Sequence, residues 1–93
     1  MKSVLQTNKQ CLVCGSSTNL HCHHVIFGRG NRKKSEKYGY KVWLCAAHHN
    51  MSNEGVHFNK KLDLALKCMA QKHFESNHGS RTDFIHEFGK SWL

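Results

Sequence analysis

The chain has 93 residues, and its 14 lysines and arginines outnumber 6 aspartates and glutamates, for a formal net charge of +8. One small domain of this size has a limited hydrophobic interior, so we expect a bound metal to add stability. The composition excludes a membrane-spanning class, since no apolar run approaches the roughly twenty residues that cross a bilayer, and the first residues lack the apolar core of a signal peptide. We therefore expect an intracellular protein whose basic surface attracts a polyanion such as nucleic acid.

In chain order, residues 1–10 have no periodicity and predict a loose arm or a short edge element. Residues 20–27 and 40–44 are rich in apolar and β-branched side chains and predict two strands. The polar, basic stretch between them predicts a long loop, because Gly28 and Gly30 break the first strand. Together these segments predict a hairpin with a basic tip.

Three helices are expected after the hairpin. Residues 46–51 have helix propensity and predict a short helix that stops before Gly55. Asn59 is suited to cap a second helix that carries an apolar stripe. Ser80 and Asp83 form a capping-box pattern for a third helix, and Gly89 is suited to end it. The expected fold class is α+β in one domain, with an arm at 1–10, a metal-clamped motif at 11–57 and a helical scaffold at 58–93.

The clearest motif is a split metal signature, Cys11-x-x-Cys14 with Cys45-x-x-His48. Each pair lets two soft or borderline ligands converge on one tetrahedral ion, which is typical of structural zinc. Five cysteines are an odd number, so a disulfide framework fits less well than a thiolate site in a reducing compartment. Cys22 and Cys68 are then expected to be free thiols.

Further histidines surround this signature and are not needed by a structural zinc. His23 and His24 are neighbours on a strand, so one can bind a second metal while the other faces a substrate. His49 and Asn53 can share a helical face and complete a site with His23, with His57 as a competitor for the third ligand position. A hydrolase of phosphodiesters needs a base and a cation, which a neutral imidazole and a divalent ion supply. Beside this group, His21 is expected to be solvated, with Cys22 packed inward.

A run of basic residues with interleaved tyrosines lies between the two halves of the hairpin. Beside a metal site it can neutralise phosphates of a DNA backbone. Nothing in it resembles an element that reads bases, so no sequence specificity is expected. The predicted backbone contacts are Arg29, Arg32, Lys33, Lys34, Lys37 and Lys41.

The pattern His23-His24-Val25-Ile26, a loop, residues 43–49 and then Asn53 resembles the HNH endonucleases, and it is most similar to small members encoded by bacteriophages and prophages. Their ββα-metal motif is a hairpin followed by a helix around one divalent ion, and zinc-stabilised, treble-clef-like members clamp it with Cys-x-x-Cys pairs. The resemblance covers residues 11–53. It implies a metal-dependent DNA endonuclease in the bacterial host cytoplasm that leaves 5′ phosphate ends.

Carried over residue by residue, the resemblance makes His24 the general base and makes His23, His49 and Asn53 ligands of a catalytic Mg²⁺, Mn²⁺, Ni²⁺ or Zn²⁺. Two positions depart from the family pattern. Tyr40 stands where an asparagine is usual, and in the family that asparagine orients the base or braces the loop. Either Tyr40 or a residue of the loop such as Asn31 takes over this role, or the activity is weakened. His48 replaces the last zinc cysteine, which tetrahedral zinc tolerates.

Two other functions fit the sequence. One is a zinc-dependent module of the zinc-ribbon or treble-clef kind that binds nucleic acid without catalysis, which Tyr40 favours. The other is a structural or assembly protein of a phage particle. Cleavage of both DNA strands would favour a homodimer or a phage protein partner.

Overall fold

The computed structural model describes residues 3–28, 30–51 and 59–93. Arg29, Asn53 and His57, which the sequence singles out, lie outside the described residues. The order of elements is β1 (Leu20–His24), α1 (Asn31–Tyr38), β2 (Lys41–Cys45), a π-helical turn (Ala47–Met51), α2 (Lys60–Asn77) and α3 (Arg81–Phe88). The fold is therefore a small α+β arrangement of one antiparallel hairpin and helices, as the sequence predicts at this level.

The two strands pair in antiparallel register, with Leu20 opposite Cys45 and His24 opposite Lys41. Because side chains alternate along a strand, His21 and His23 lie on one face, and Cys22 and His24 lie on the other. β1 ends at His24, earlier than the predicted residue 27. Beyond it, Val25 and Ile26 are fully buried, and the Val25 N–H donates to the Tyr40 carbonyl at 2.9 Å.

The basic connection between the strands contains a helix, which corrects the predicted loop. α1 is almost entirely polar, so it lacks the apolar periodicity by which a helix is recognised, yet its lysines, arginine and glutamate are good helix formers. Gly39 ends α1 with φ of 78°, a left-handed conformation that favours glycine. The buried Ser35 hydroxyl accepts from the Ile26 N–H at 3.1 Å and donates to the Ile26 carbonyl at 2.5 Å, which attaches α1 to the segment after β1.

The N-terminal residues lie along the edge of β2. The Val4 N–H donates to the Gly39 carbonyl, and the Leu12 N–H donates to the Trp43 carbonyl. The Gln6 side-chain oxygen accepts from the Trp43 N–H at 2.7 Å. Since Trp43 directs both backbone groups to this segment, the segment covers the edge of β2 that β1 leaves open. It also brings Cys11 to the end of β2.

α2 begins, and α3 begins and ends, at the capping residues that the sequence predicts. The Asn59 side chain caps α2 by accepting from the Leu62 N–H, Ser80 and Asp83 form the expected capping box on α3, and Gly89 ends α3. No helix in the described part of the chain combines the length and the apolar character that a bilayer span needs. The helices cover the hairpin through a core that includes Val25, Ile26, Tyr40, Val42, Leu44, Leu66, Ala70, Phe74, Phe84 and Phe88.

Candidate metal centre and histidine pocket

Cys11, Cys14, Cys45 and His48 converge at the end of β2. Their ligand atoms all lie within 4.8 Å of one another. The Cys14 and Cys45 sulfurs are 3.7 Å apart, and the His48 Nδ1 atom lies 3.7 Å from the Cys11 sulfur and 3.3 Å from the Cys45 sulfur. Tetrahedral zinc, with its usual bond lengths, separates two sulfurs by about 3.8 Å and a sulfur from a nitrogen by about 3.6 Å. The quartet therefore has the donor set and the spacing to hold a structural metal such as zinc.

Backbone N–H groups favour the charged form of two of these thiols. Burial would raise the pKa of Cys11, but N–H groups of Cys45, Cys14 and Val13 outweigh it and lower this pKa to about 6. The N–H of His48 lowers the pKa of Cys45. Thiolates are the form that binds metals, so the local backbone prepares these two residues for that role.

The other two members of the quartet are shifted in the opposite direction. The Ser16 N–H favours the Cys14 thiolate, but burial and the neighbouring thiols of Cys11 and Cys45 together raise its pKa. Contact with the Cys45 sulfur raises the pKa of His48. Both residues must give up any proton they carry before they can bind a metal.

A cluster of three histidines lies beside the quartet. The Nδ1 atoms of His21 and His49 are 2.8 Å apart, and the ring centres of His23 and His49 are 5.4 Å apart. His23 is buried, whereas His21 and His49 are half-buried. The expected approach of His23 to His49 is therefore present. Among the described residues, only the quartet brings three or more metal-ligand atoms close enough together to hold one ion. The three histidines by themselves do not form such a group.

His21 belongs to this cluster, although the sequence predicts a solvated side chain for it. Its alternation with His23 on β1 was a signal for this placement, because residues two apart on a strand share a face. The π-helical turn then brings His49 over that same face. His21 therefore contacts His49 directly.

His24 lies on the opposite face of β1 with 15% of its side chain exposed. Its Nε2 atom is 3.1 Å from an oxygen of Glu36 on α1. The same oxygen is 2.8 Å from the Lys41 ammonium. The sequence does not single out Glu36, because it predicts a loop in place of α1 and so gives no helical face on which to place this side chain.

A cavity of about 240 Å³ opens where these groups meet at the end of β1. Both His23 and His24 line this cavity, although their side chains leave opposite faces of β1. It combines imidazoles with one guanidinium, which suits an anionic ligand near a cation. Its walls are Cys22, His23, His24, Phe27, Arg32 and His49.

Tyr40 and Asn31, the two residues suggested in place of the asparagine of the HNH pattern, have hydrogen-bond partners on the helices. Tyr40 is fully buried, and its hydroxyl lies 3.2 Å from the Nδ1 atom of His73 on α2. Burial raises the pKa of Tyr40. The Asn31 side chain donates to the Phe88 carbonyl at 3.2 Å. Both side chains support packing of the helices.

The basic residues of the hairpin connection occupy different environments. Arg32, Lys33 and Lys37 are exposed on α1, and Lys34 donates to the Glu87 carbonyl. Lys41 is only 5% exposed and pairs with Glu36, so its ammonium is less accessible to a phosphate than the exposed lysines of α1. Among the described basic residues of this connection, Arg32 is the one that lines the histidine cavity.

The chain matches no family model, no curated protein and no solved structure.

Proposed function

We propose that the chain is a metal-dependent DNA endonuclease of the HNH kind, in which the cysteine and histidine quartet is a structural zinc site beside a catalytic pocket. The single observation that carries the proposal is the cavity in which His23, His24, His49 and Arg32 meet. It places a candidate base, candidate metal ligands and a cation for phosphate around one space. The sequence resemblance to the ββα-metal motif supports the same reading.

In this proposal His23 and His49 bind a divalent cation together with Asn53 or His57. Neutral imidazole is a common ligand of such ions, and His23 and His49 are already close, on β1 and on the π-helical turn. When bound, the cation offsets charge on the scissile phosphate and on the leaving oxygen. The quartet fixes this arrangement, because Cys45 ends β2 and His48 immediately precedes His49.

His24 acts as the general base. It takes a proton from a water molecule, the water oxygen forms a bond to phosphorus, and the bond from phosphorus to the 3′ oxygen breaks with its electron pair on that oxygen. Solvent protonates the 3′ oxygen, and the phosphate stays on the 5′ end. General-base catalysis of this kind contributes about 10²- to 10⁴-fold to a rate.

Arg32 neutralises a phosphate at the cavity, while Lys33 and Lys37 contact the DNA backbone from the exposed side of α1. Contacts of this kind position a duplex without reading its sequence. Binding should weaken steeply with salt, because each neutralised phosphate releases counterions.

The test is nicking of supercoiled plasmid by zinc-loaded protein supplied with magnesium, manganese or nickel. His24→Ala should lower the rate by about 100-fold or more. His86→Ala is the matched control, because His86 is exposed on α3 and is not among the cavity walls. Equal nicking by the wild type and His24→Ala at matched purity would contradict the proposal.

The second candidate is a zinc-dependent module that binds nucleic acid without cleaving it. The exposed Arg32, Lys33 and Lys37 on one helix, together with the buried Tyr40 at the asparagine position, favour it. It predicts salt-sensitive DNA binding by wild-type protein with no nicking under any of the three metals. His24→Ala and His49→Ala would then leave the affinity unchanged.

A further inference from the structure

One carboxylate oxygen joins two side chains that face each other across the hairpin. His24 and Lys41 are directly opposite in the antiparallel register, so both project from the same face of the sheet. The Glu36 Oε2 atom lies 3.1 Å from the His24 Nε2 atom and 2.8 Å from the Lys41 Nζ atom. Glu36 thus spans the cross-strand pair from α1.

The position of Glu36 is set by its neighbours in the chain. Ser35 is fully buried and bonds through its hydroxyl to both backbone groups of Ile26. The Ser35 carbonyl also accepts from the Tyr40 N–H at 2.8 Å. The backbone beside Glu36 is therefore fixed against the chain that leaves β1 and the chain that enters β2.

The ion pair with Lys41 holds the Glu36 carboxylate in this position. A buried ammonium is costly unless a counter-ion meets it, and Lys41 is only 5% exposed. Glu36 meets this ammonium, although its own side chain is 58% exposed. The hydrogen bond to Lys41, and then that to His24, lower the pKa of Glu36, so it is a carboxylate at neutral pH.

We propose that Glu36 is the positioning residue of His24: its carboxylate accepts the Nε2–H of the imidazole and leaves Nδ1 unprotonated as the nitrogen that faces a water in the cavity. The inference rests on the proposed nuclease function for its catalytic consequence. An acceptor at one ring nitrogen determines which nitrogen carries the hydrogen, and so determines which is available as a base. Glu36 thereby orients the base, which is one of the two roles that the resemblance gives to the asparagine replaced by Tyr40.

The first test reads the tautomer and requires no activity. In zinc-loaded protein labelled with ¹⁵N-histidine, long-range ¹H–¹⁵N spectra recorded above neutral pH should show the His24 hydrogen on Nε2. His24→Gln assigns the signal. Glu36→Ala should mix the tautomers, and Glu36→Gln should keep Nε2–H because its amide oxygen still accepts. A hydrogen on Nδ1 in wild-type protein, or no change in Glu36→Ala, would overturn the inference.

The second test separates catalysis from binding. Glu36→Ala should lower kcat by about 10- to 100-fold, as loss of an orienting partner commonly does, without raising the KM for DNA, and Glu36→Gln should recover most of kcat. Glu75→Ala is the matched control, since it removes one carboxylate that pairs with Arg81 at 3.2 Å on the helical scaffold. Equal kcat values in Glu36→Ala and Glu75→Ala would overturn the inference.

The two tests distinguish this inference from the proposed function. A fixed Nε2–H tautomer in a protein that cleaves no DNA would contradict the nuclease function and uphold the placement of His24 by Glu36. Cleavage that depends on His24 but not on Glu36 would do the reverse.

Discussion

The Nδ1 atoms of His21 and His49 lie 2.8 Å apart, although 28 residues separate them in the chain. A ring nitrogen that is held in this way directs the opposite nitrogen of the same ring, and such outer contacts commonly govern how well an imidazole binds a metal. His21 is thus placed to orient His49 toward the cavity.

We therefore expect His21→Ala to weaken binding of the second cation, with a loss of about 10- to 100-fold, the usual effect of removing an outer partner of a metal ligand. Calorimetric titration of zinc-loaded protein with manganese or nickel measures the affinity. His86→Ala should bind as wild type does. An unchanged affinity in His21→Ala would show that His49 needs no partner on β1.

If the quartet binds a structural zinc, the protein should lose its fold when it loses the metal. Cys14→Ser removes one donor and should leave less than one equivalent of zinc in purified protein, with unfolding at lower urea than wild type. Zinc binding by small domains is worth about 10–16 kcal/mol at neutral pH, so a chelator should unfold the wild type as well. Zinc analysis and circular dichroism check both results.

Cys68→Ser is the matched control for this substitution. Cys68 lies on α2, where its thiol donates to the Trp92 carbonyl at 3.3 Å, outside the quartet. It should retain one equivalent of zinc. Full zinc content in Cys14→Ser, or a wild type that is indifferent to chelator, would contradict a structural zinc at this position.

Protons should leave the protein when zinc binds at neutral pH. The pKa of Cys14 is raised, so this thiol is protonated and must lose its proton, and the raised pKa of His48 favours a proton that this ring must also lose. The pKa of Cys11 is lowered to about 6, so Cys11 is already a thiolate and contributes little until the pH falls through that value. Zinc affinity should therefore decrease as the pH is lowered.

Titration calorimetry in buffers of different ionisation enthalpy counts the released protons. We expect net release at pH about 7 and a larger release at pH about 6, where Cys11 and His48 hold more protons before zinc binds. Zinc affinity that is constant across this range, with no proton released, would show that the quartet does not bind the metal through these groups.

The sequence predicted the hairpin, the helices α2 and α3, and the membership of the quartet, because each leaves a local signal. Capping residues such as Asn59 and Ser80 act within one helical turn, and paired cysteines act through short spacing. The sequence does not predict α1, because this helix is almost wholly polar and has no apolar stripe. Helix propensity and the glycine at its C-terminal end are what favour a helix here.

The candidate site could be predicted only in part, because its contacts are tertiary. His23 and His49 lie close, as expected, but the approach of Glu36 to His24 depends on how Ser35 attaches α1 to Ile26. Burial of Lys41 depends on the same packing. From the sequence, a lysine in a run of basic residues is expected to be exposed to solvent. The roles of Asn53 and His57 stay predictions.

Anomalous diffraction from crystals grown with zinc and manganese is the most direct test of both metal sites. The quartet should bind a structural zinc, and a second metal should bind beside it at His23 and His49. We expect a zinc peak at about 2.0–2.3 Å from the ligand atoms of Cys11, Cys14, Cys45 and His48. We expect a manganese peak in the cavity, bound by His23 and His49. Zinc in the quartet with no manganese at His23 and His49 would contradict the proposed catalytic site. An absence of zinc from the quartet would contradict the structural zinc site.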